Sequence, residues 1–160
     1  MSNLFKDVYN PTFYSEFASV VSDVIPDFSG DQFNQLIFTD FFKTMELKER
    51  MAHTSAVLHH FLKSDFSKAV IQIIDIINAL EAQGIKEKSV EYMFIPHYIE
   101  QYGINDFNSA IVAFERITQF TSCEFAVRPF LIRYSEAMLK QMIDWITHSH
   151  ASVRRLASEG

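Results

Sequence analysis

Asp65-Phe66-Ser67-Lys68-Ala69-Val70-Ile71 returns 41 residues later as Asp106-Phe107-Asn108-Ser109-Ala110-Ile111-Val112. Each copy opens on an aspartate, whose side-chain oxygen can accept from the free amides of a helix's first turn. Each continues into an apolar run that starts at an alanine. The spacing falls in the period of about 40–47 residues that marks stacked helix pairs. A helix pair cannot bury both its faces alone, so successive pairs stack into a superhelix with a continuous core.

Working outward, every neighbouring segment reads as helix. Asn10-Pro11 pairs a cap with a proline at the first helical position, and Phe13, Phe17, Val20, Val21 and Val24 follow at helical spacing before Pro26 stops the run. Asp31 is placed to cap a second helix carrying Phe33, Leu36, Ile37 and Phe41, with a split near Thr39-Asp40. A third covers Glu46 to Leu62. Ile71, Ile73, Ile74, Ile76 and Ile77 alone suggest a strand, but a cap before them and Ala79, Leu80, Glu81 and Gly84 after them argue helix. A fifth helix is expected from Ser89 to Gln101, ended by Gly103. The sixth runs through Ile111, Phe114, Ile117 and Phe120, and the last three lie at 122–133, at 135–147 and from 150 onward. A fainter echo, Ser135-Glu136-Ala137-Met138-Leu139, comes 27 residues after Ala110, and two Val-Arg pairs, Val127-Arg128 and Val153-Arg154, stand 26 apart. The later units are therefore expected to be tighter hairpins. Residues 1–160 read as one all-α domain of stacked antiparallel helix pairs, a HEAT-like repeat superhelix. A compact, non-repeating bundle is the competing reading.

Composition agrees. Of the 160 residues, 48% are hydrophobic and 21% charged, with 16 Phe, four Gly and four Pro, which suits a bulky helical core and short connections. One cysteine, Cys123, excludes an internal disulfide and makes a reducing cytoplasm the expected compartment. No apolar run reaches the roughly 18 residues of a membrane span. Net charge is −6, which disfavours a nucleic-acid contact over the whole surface. Residues 121–160 nevertheless carry five basic and four acidic side chains, a balance of +1 against −7 elsewhere, so an anion-binding face would lie at that end.

That end also holds the candidate chemistry. Glu124 follows Thr121 at capping-box spacing and precedes Arg128 by one helical turn, so a helix cap is the plainer role. The segment from Phe125 to Ile132 is apolar on nearly every side, which predicts a buried helix with a carboxylate at its mouth. Glu159 follows Arg155 by one turn, which predicts a solvated ion pair beside a core stripe of Val153, Leu156, Ala157 and Gly160. The six histidines have no spacing suited to a zinc pair on one helix, so neither a metal nor another cofactor is expected. Cys123 and Trp145 are expected in the core.

Glu124-Phe125-Ala126-Val127-Arg128-Pro129-Phe130, followed by Ala151-Ser152-Val153-Arg154-Arg155-Leu156-Ala157-Ser158-Glu159-Gly160, resembles the AlkC branch of the alkylpurine DNA glycosylases, the HEAT-like family shared with AlkD. Glu46 to Ser55 is similar to that family as well. The resemblance implies DNA alkylation repair: hydrolytic excision of N3- and N7-alkylated purines from double-stranded DNA, without full flipping of the base. It places Glu124 and Glu159 at catalytic acidic positions and gives Arg128, Arg154 and Arg155 contacts to phosphates or to those carboxylates. In the family, the run after Ser-Glu-Gly continues through Arg-Pro-Arg-Leu-Pro-Trp, further repeats, another catalytic acid and often an immunoglobulin-like domain. The resemblance thus implies the N-terminal portion of such an enzyme, ending inside the catalytic region, with little glycosylase activity alone. Two other readings stand beside it. One is a non-enzymatic scaffold that binds a protein or DNA partner on its concave face. The other is an exposed apolar C-terminal repeat, residues 135–160, that self-associates.

Overall fold

The computed structural model describes residues 5–85 and 90–159. Helix is the regular structure throughout, and no strand occurs among the described residues. The order is α1 (Pro11–Val24), α2 (Gly30–Ile37), α3 (Leu47–Phe61), α4 (Phe66–Ala82), α5 (Phe94–Gly103), α6 (Phe107–Ile117), α7 (Arg128–Arg133), α8 (Ser135–Trp145) and α9 (Ala151–Glu159), with single 3₁₀ turns at Phe42–Thr44 and Val90–Tyr92. Among the described residues, no helix is long and apolar enough to cross a membrane.

The caps follow from residue chemistry. Asn10 Oδ1 accepts from the amide of Phe13 at 2.9 Å, with Pro11 in the first turn. Asp65 Oδ1 accepts from the amide of Ser67 at 3.0 Å, and Asp106 Oδ1 from that of Ser109 at 3.2 Å, so the two aspartates of the repeat do the same work. Ser29, rather than Asp31, caps α2, its hydroxyl accepting from Gln32 at 3.1 Å, and Asp31 lies inside the first turn. Gly84 at φ 85° terminates the turn after α4 in the left-handed region that a Cβ disfavours.

The helices stack as pairs. α3 packs on α5, α4 on α6 and α5 on α6, so equivalent helices of successive repeats lie side by side. Ala69 and Ala110, the fifth residue of each copy of the repeat, are both fully buried. Gly103 allows the close approach of the two units: a Cβ there would run into the ring of Phe66. Arg116 on α6 reaches back to Glu81 and to Asn78 Oδ1 (2.7 Å) on α4. The phenylalanines fill the interior, with edge contacts such as Phe17 to Phe94 (5.2 Å) and Phe114 to Phe130 (5.1 Å) joining different helices. In the Glu46–Ser55 segment, the nearly buried Arg50 donates to the carbonyls of Lys6 (2.8 Å) and Phe42 (3.3 Å), which fastens the N-terminal segment onto α3.

Several expectations need correction. The expected helix at 122–133 begins only at Arg128, because Pro129 lacks an amide hydrogen and is tolerated in a first turn, whereas a start at 122 would bury it in a helix interior. The segment is not buried all round: Phe125 and Ile132 are largely exposed, and Ala126, Val127 and Phe130 carry the burial. α5 starts at Phe94, which puts Pro96 in its first turn, and Ser89 lies outside the described residues. The echo at Ala137 is out of register: Ala137 is exposed and Met138 takes the buried place. At the C-terminal end, Leu139 and Ile143 on α8 and its C-cap Ile146 are exposed apolar residues.

Candidate active site

Glu124 sits in a loop held from both sides. The amide of Thr121 donates to Ile117 O at 2.8 Å, closing α6, so it is not free for the Glu124 carboxylate and the expected capping box does not form. Cys123, Ala126 and Val127 are buried around Glu124, and the amide of Val127 donates to Cys123 O at 3.1 Å. The Cys123 thiol, pushed well up by burial, is structural. Between these anchors the Glu124 amide donates to Ser122 Oγ at 3.3 Å, and the carboxylate, 27% exposed, turns outward.

α9 brings the partner. Val153 and Leu156 are buried one turn apart, which turns Arg155 and Glu159 toward solvent. Arg155 Nε donates to Glu159 Oε2 at 2.9 Å, the ion pair expected from the sequence. The same Nε lies 3.7 Å from Glu124 Oε1. Glu124 and Glu159, 35 residues apart in the chain, therefore meet at one guanidinium. The hydrogen bond from Arg155 holds the Glu159 carboxyl below the usual glutamate range. Glu159, and then Glu124, push the Arg155 pKa further up, so the arginine stays charged.

Beside this cluster lies an open cavity of about 320 Å³. Val90, Met93 and Leu156 make its apolar wall, and Thr118, Thr121, Ser122 and Ser152 bring hydroxyls to it, with Glu124 and Arg155 at its rim. The arrangement can hold positive charge against two carboxylates and order polar groups over an apolar floor.

The other two arginines are turned elsewhere. Arg154 Nη1 donates to the carbonyls of His148 (2.7 Å) and Ser149 (2.9 Å). Arg128 lies over the ring of Phe125, 4.6 Å from its centroid, and not on Glu124, because the two residues do not share a helix. Sequence reasoning missed Val90 and Met93, which reach the cavity from about 30 residues earlier in the chain, and Thr118 at the end of α6. It also missed Glu115, whose Oε1 accepts from Trp145 Nε1 at 2.9 Å. Among the described residues, no three His, Cys, Asp or Glu side chains converge as a metal site would require.

No protein-family model matches the chain. The Bacillus subtilis (strain 168) protein YhaZ, itself uncharacterized, is 33% identical over 155 residues, which are 97% of this chain and 42% of YhaZ. The Pseudomonas fluorescens alkylpurine DNA glycosylase AlkC, in a structure bound to DNA containing an abasic site analog, superposes with a TM-score of 0.86 at 29% identity, over 98% of this chain and 42% of that one. The chain thus spans less than half the length of either relative. By fold and sequence together the chain is similar, over nearly its whole length, to part of an AlkC-type alkylpurine DNA glycosylase.

Proposed function

We propose that this chain works in DNA alkylation repair, as part of a glycosylase that hydrolytically excises N3- or N7-alkylated purines from double-stranded DNA. The observation that carries the reading is the meeting of Glu124 and Glu159 at Arg155, in a chain 98% of which superposes on 42% of a glycosylase.

The chemistry fits two carboxylates. An N3- or N7-alkylated purine carries a positive charge, so its bond to C1′ is already weakened. That bond breaks with its electron pair passing to the base, which leaves neutral, and positive charge develops on the sugar. Glu124 and Glu159 stabilise that oxocarbenium-like sugar and orient the water that adds to C1′, one of them taking its proton. The charge logic is that of glycoside hydrolysis. Arg155 keeps both acids aimed at one point. Arg128 and Arg154 contact backbone phosphates, which position the duplex without reading its sequence.

The test is duplex binding by fluorescence anisotropy across a salt series. The expected result is tighter binding to a duplex with an abasic analogue than to an intact one, weakening steeply as salt rises. Salt-insensitive binding to a protein partner, with no affinity for DNA at low salt, would instead favour the scaffold reading.

A further inference from the structure

Two histidines build the turn that leads into α9. The amide of His150 donates to Nδ1 of His148 at 2.9 Å, and the amide of Ser152 donates to Nδ1 of His150 at 3.1 Å. The second contact has the form of a helix N-cap: the acceptor side chain stands one residue before Ala151, and the donor is the second amide of the helix. An amide hydrogen needs a ring nitrogen with a free lone pair. In this arrangement Nδ1 is unprotonated on both rings, and each neutral ring carries its hydrogen on Nε2.

The charged surroundings come from two elements. Glu115 on α6 has Oε1 3.8 Å from His148 Nε2, and Trp145 at the end of α8 donates to that same oxygen. Arg154 on α9 places its guanidinium on the carbonyls of His148 and Ser149. Protonating Nδ1 on either ring replaces an acceptor by a donor and ejects the amide it holds.

Arg155 and Glu159 lie one and two turns beyond this cap. We propose that His148 and His150 are positioning residues: as neutral rings they set the first turn of α9, and through it the seating of Arg155 and Glu159 against Glu124. The cluster is then assembled while both rings are neutral and loosens when either takes a proton on Nδ1. The bearing on base excision rests on the function proposed above. The helix measurement below does not, so either can fail without the other.

The experiment is amide hydrogen exchange by NMR on the 160-residue chain, as protection factors for Val153 to Leu156 at about pH 8 and about pH 5.5, where carboxylates remain mostly ionised. Protection is expected to fall about fivefold at the lower pH, the factor that accompanies loss of a helix cap. His150→Asn, which keeps an uncharged cap acceptor and leaves His148 in place, is expected to lose clearly less protection at the lower pH than the wild type. His150→Ala is expected to be low at both. Wild-type protection unchanged between the two pH values would overturn the proposal, and so would a His150→Asn variant that loses protection as the wild type does.

Discussion

The indole N–H of Trp145 donates to Glu115 Oε1 at 2.9 Å and so ties α8 to α6. Trp145 is almost fully buried, whereas the Glu115 side chain keeps 43% of its exposure, so the bond sits at the rim of the core. Trp145→Phe keeps an aromatic ring and removes the donor. The expected cost is about 1–2 kcal/mol, from one lost hydrogen bond and a modest loss of volume. Urea unfolding measures it, and an unchanged midpoint would contradict the account.

Gly103 and Phe66 set the spacing between two repeats. Gly103→Ala forces a methyl group into the Phe66 ring and should cost about 1–3 kcal/mol. Phe66→Leu in the same chain should recover part of that loss, because neighbours in contact couple. Strictly additive effects in a double-mutant cycle would show that the contact is not the cause.

His59 predicts a pH dependence of stability. Its ring stacks on Tyr102, with centroids 3.8 Å apart and 7° between planes, and its Nδ1 lies 3.1 Å from the Tyr98 hydroxyl. Partial burial, and then the nearby His60, lower its pKa below that of free imidazole. The folded chain therefore takes up this proton less readily than the unfolded chain. The contribution to stability is complete above about pH 6.5 and is lost as pH falls through the folded pKa. NMR titration should put the His59 midpoint below 6.5, and a midpoint above it would reverse the sign.

Arg128 and Arg154 should act on DNA through charge alone. Replacing either with alanine is expected to lower the slope of log affinity against log salt by about 1, equally for all sequences. A slope unchanged in both variants would remove them from the interface.

Much of the fold was legible because its signals are local. The Asp65 and Asp106 caps, the pairing of Asn10 with Pro11, and the turn at Gly84 each depend on a few adjacent residues, and each stands where its chemistry requires. The helix expected from 122 failed because a strong apolar run outweighed one proline, although Pro129 fixes the start near Arg128. Ala137 matched in composition and not in register, since nothing in a five-residue echo says which side faces the core. The Arg155–Glu159 pair was readable as neighbours on one helix. The approach of Glu124 to Arg155 was not, because it depends on how α9 docks against a loop some 30 residues earlier. The histidine cap of α9 was hidden for a different reason: His148 and His150 draw attention as metal ligands, not as acceptors for amides.

Our proposal is that Glu124 and Glu159 together stabilise positive charge on a sugar. Its most direct test compares affinity for two duplexes, one carrying a cationic pyrrolidine abasic analogue and the other a neutral tetrahydrofuran analogue. A site built for an oxocarbenium-like sugar should prefer the cation by about tenfold or more. Glu124→Gln and Glu159→Gln should each reduce that preference and leave binding of the neutral duplex nearly unchanged. Equal affinity for the two duplexes in the wild-type chain, or a preference that survives both substitutions, would contradict the account.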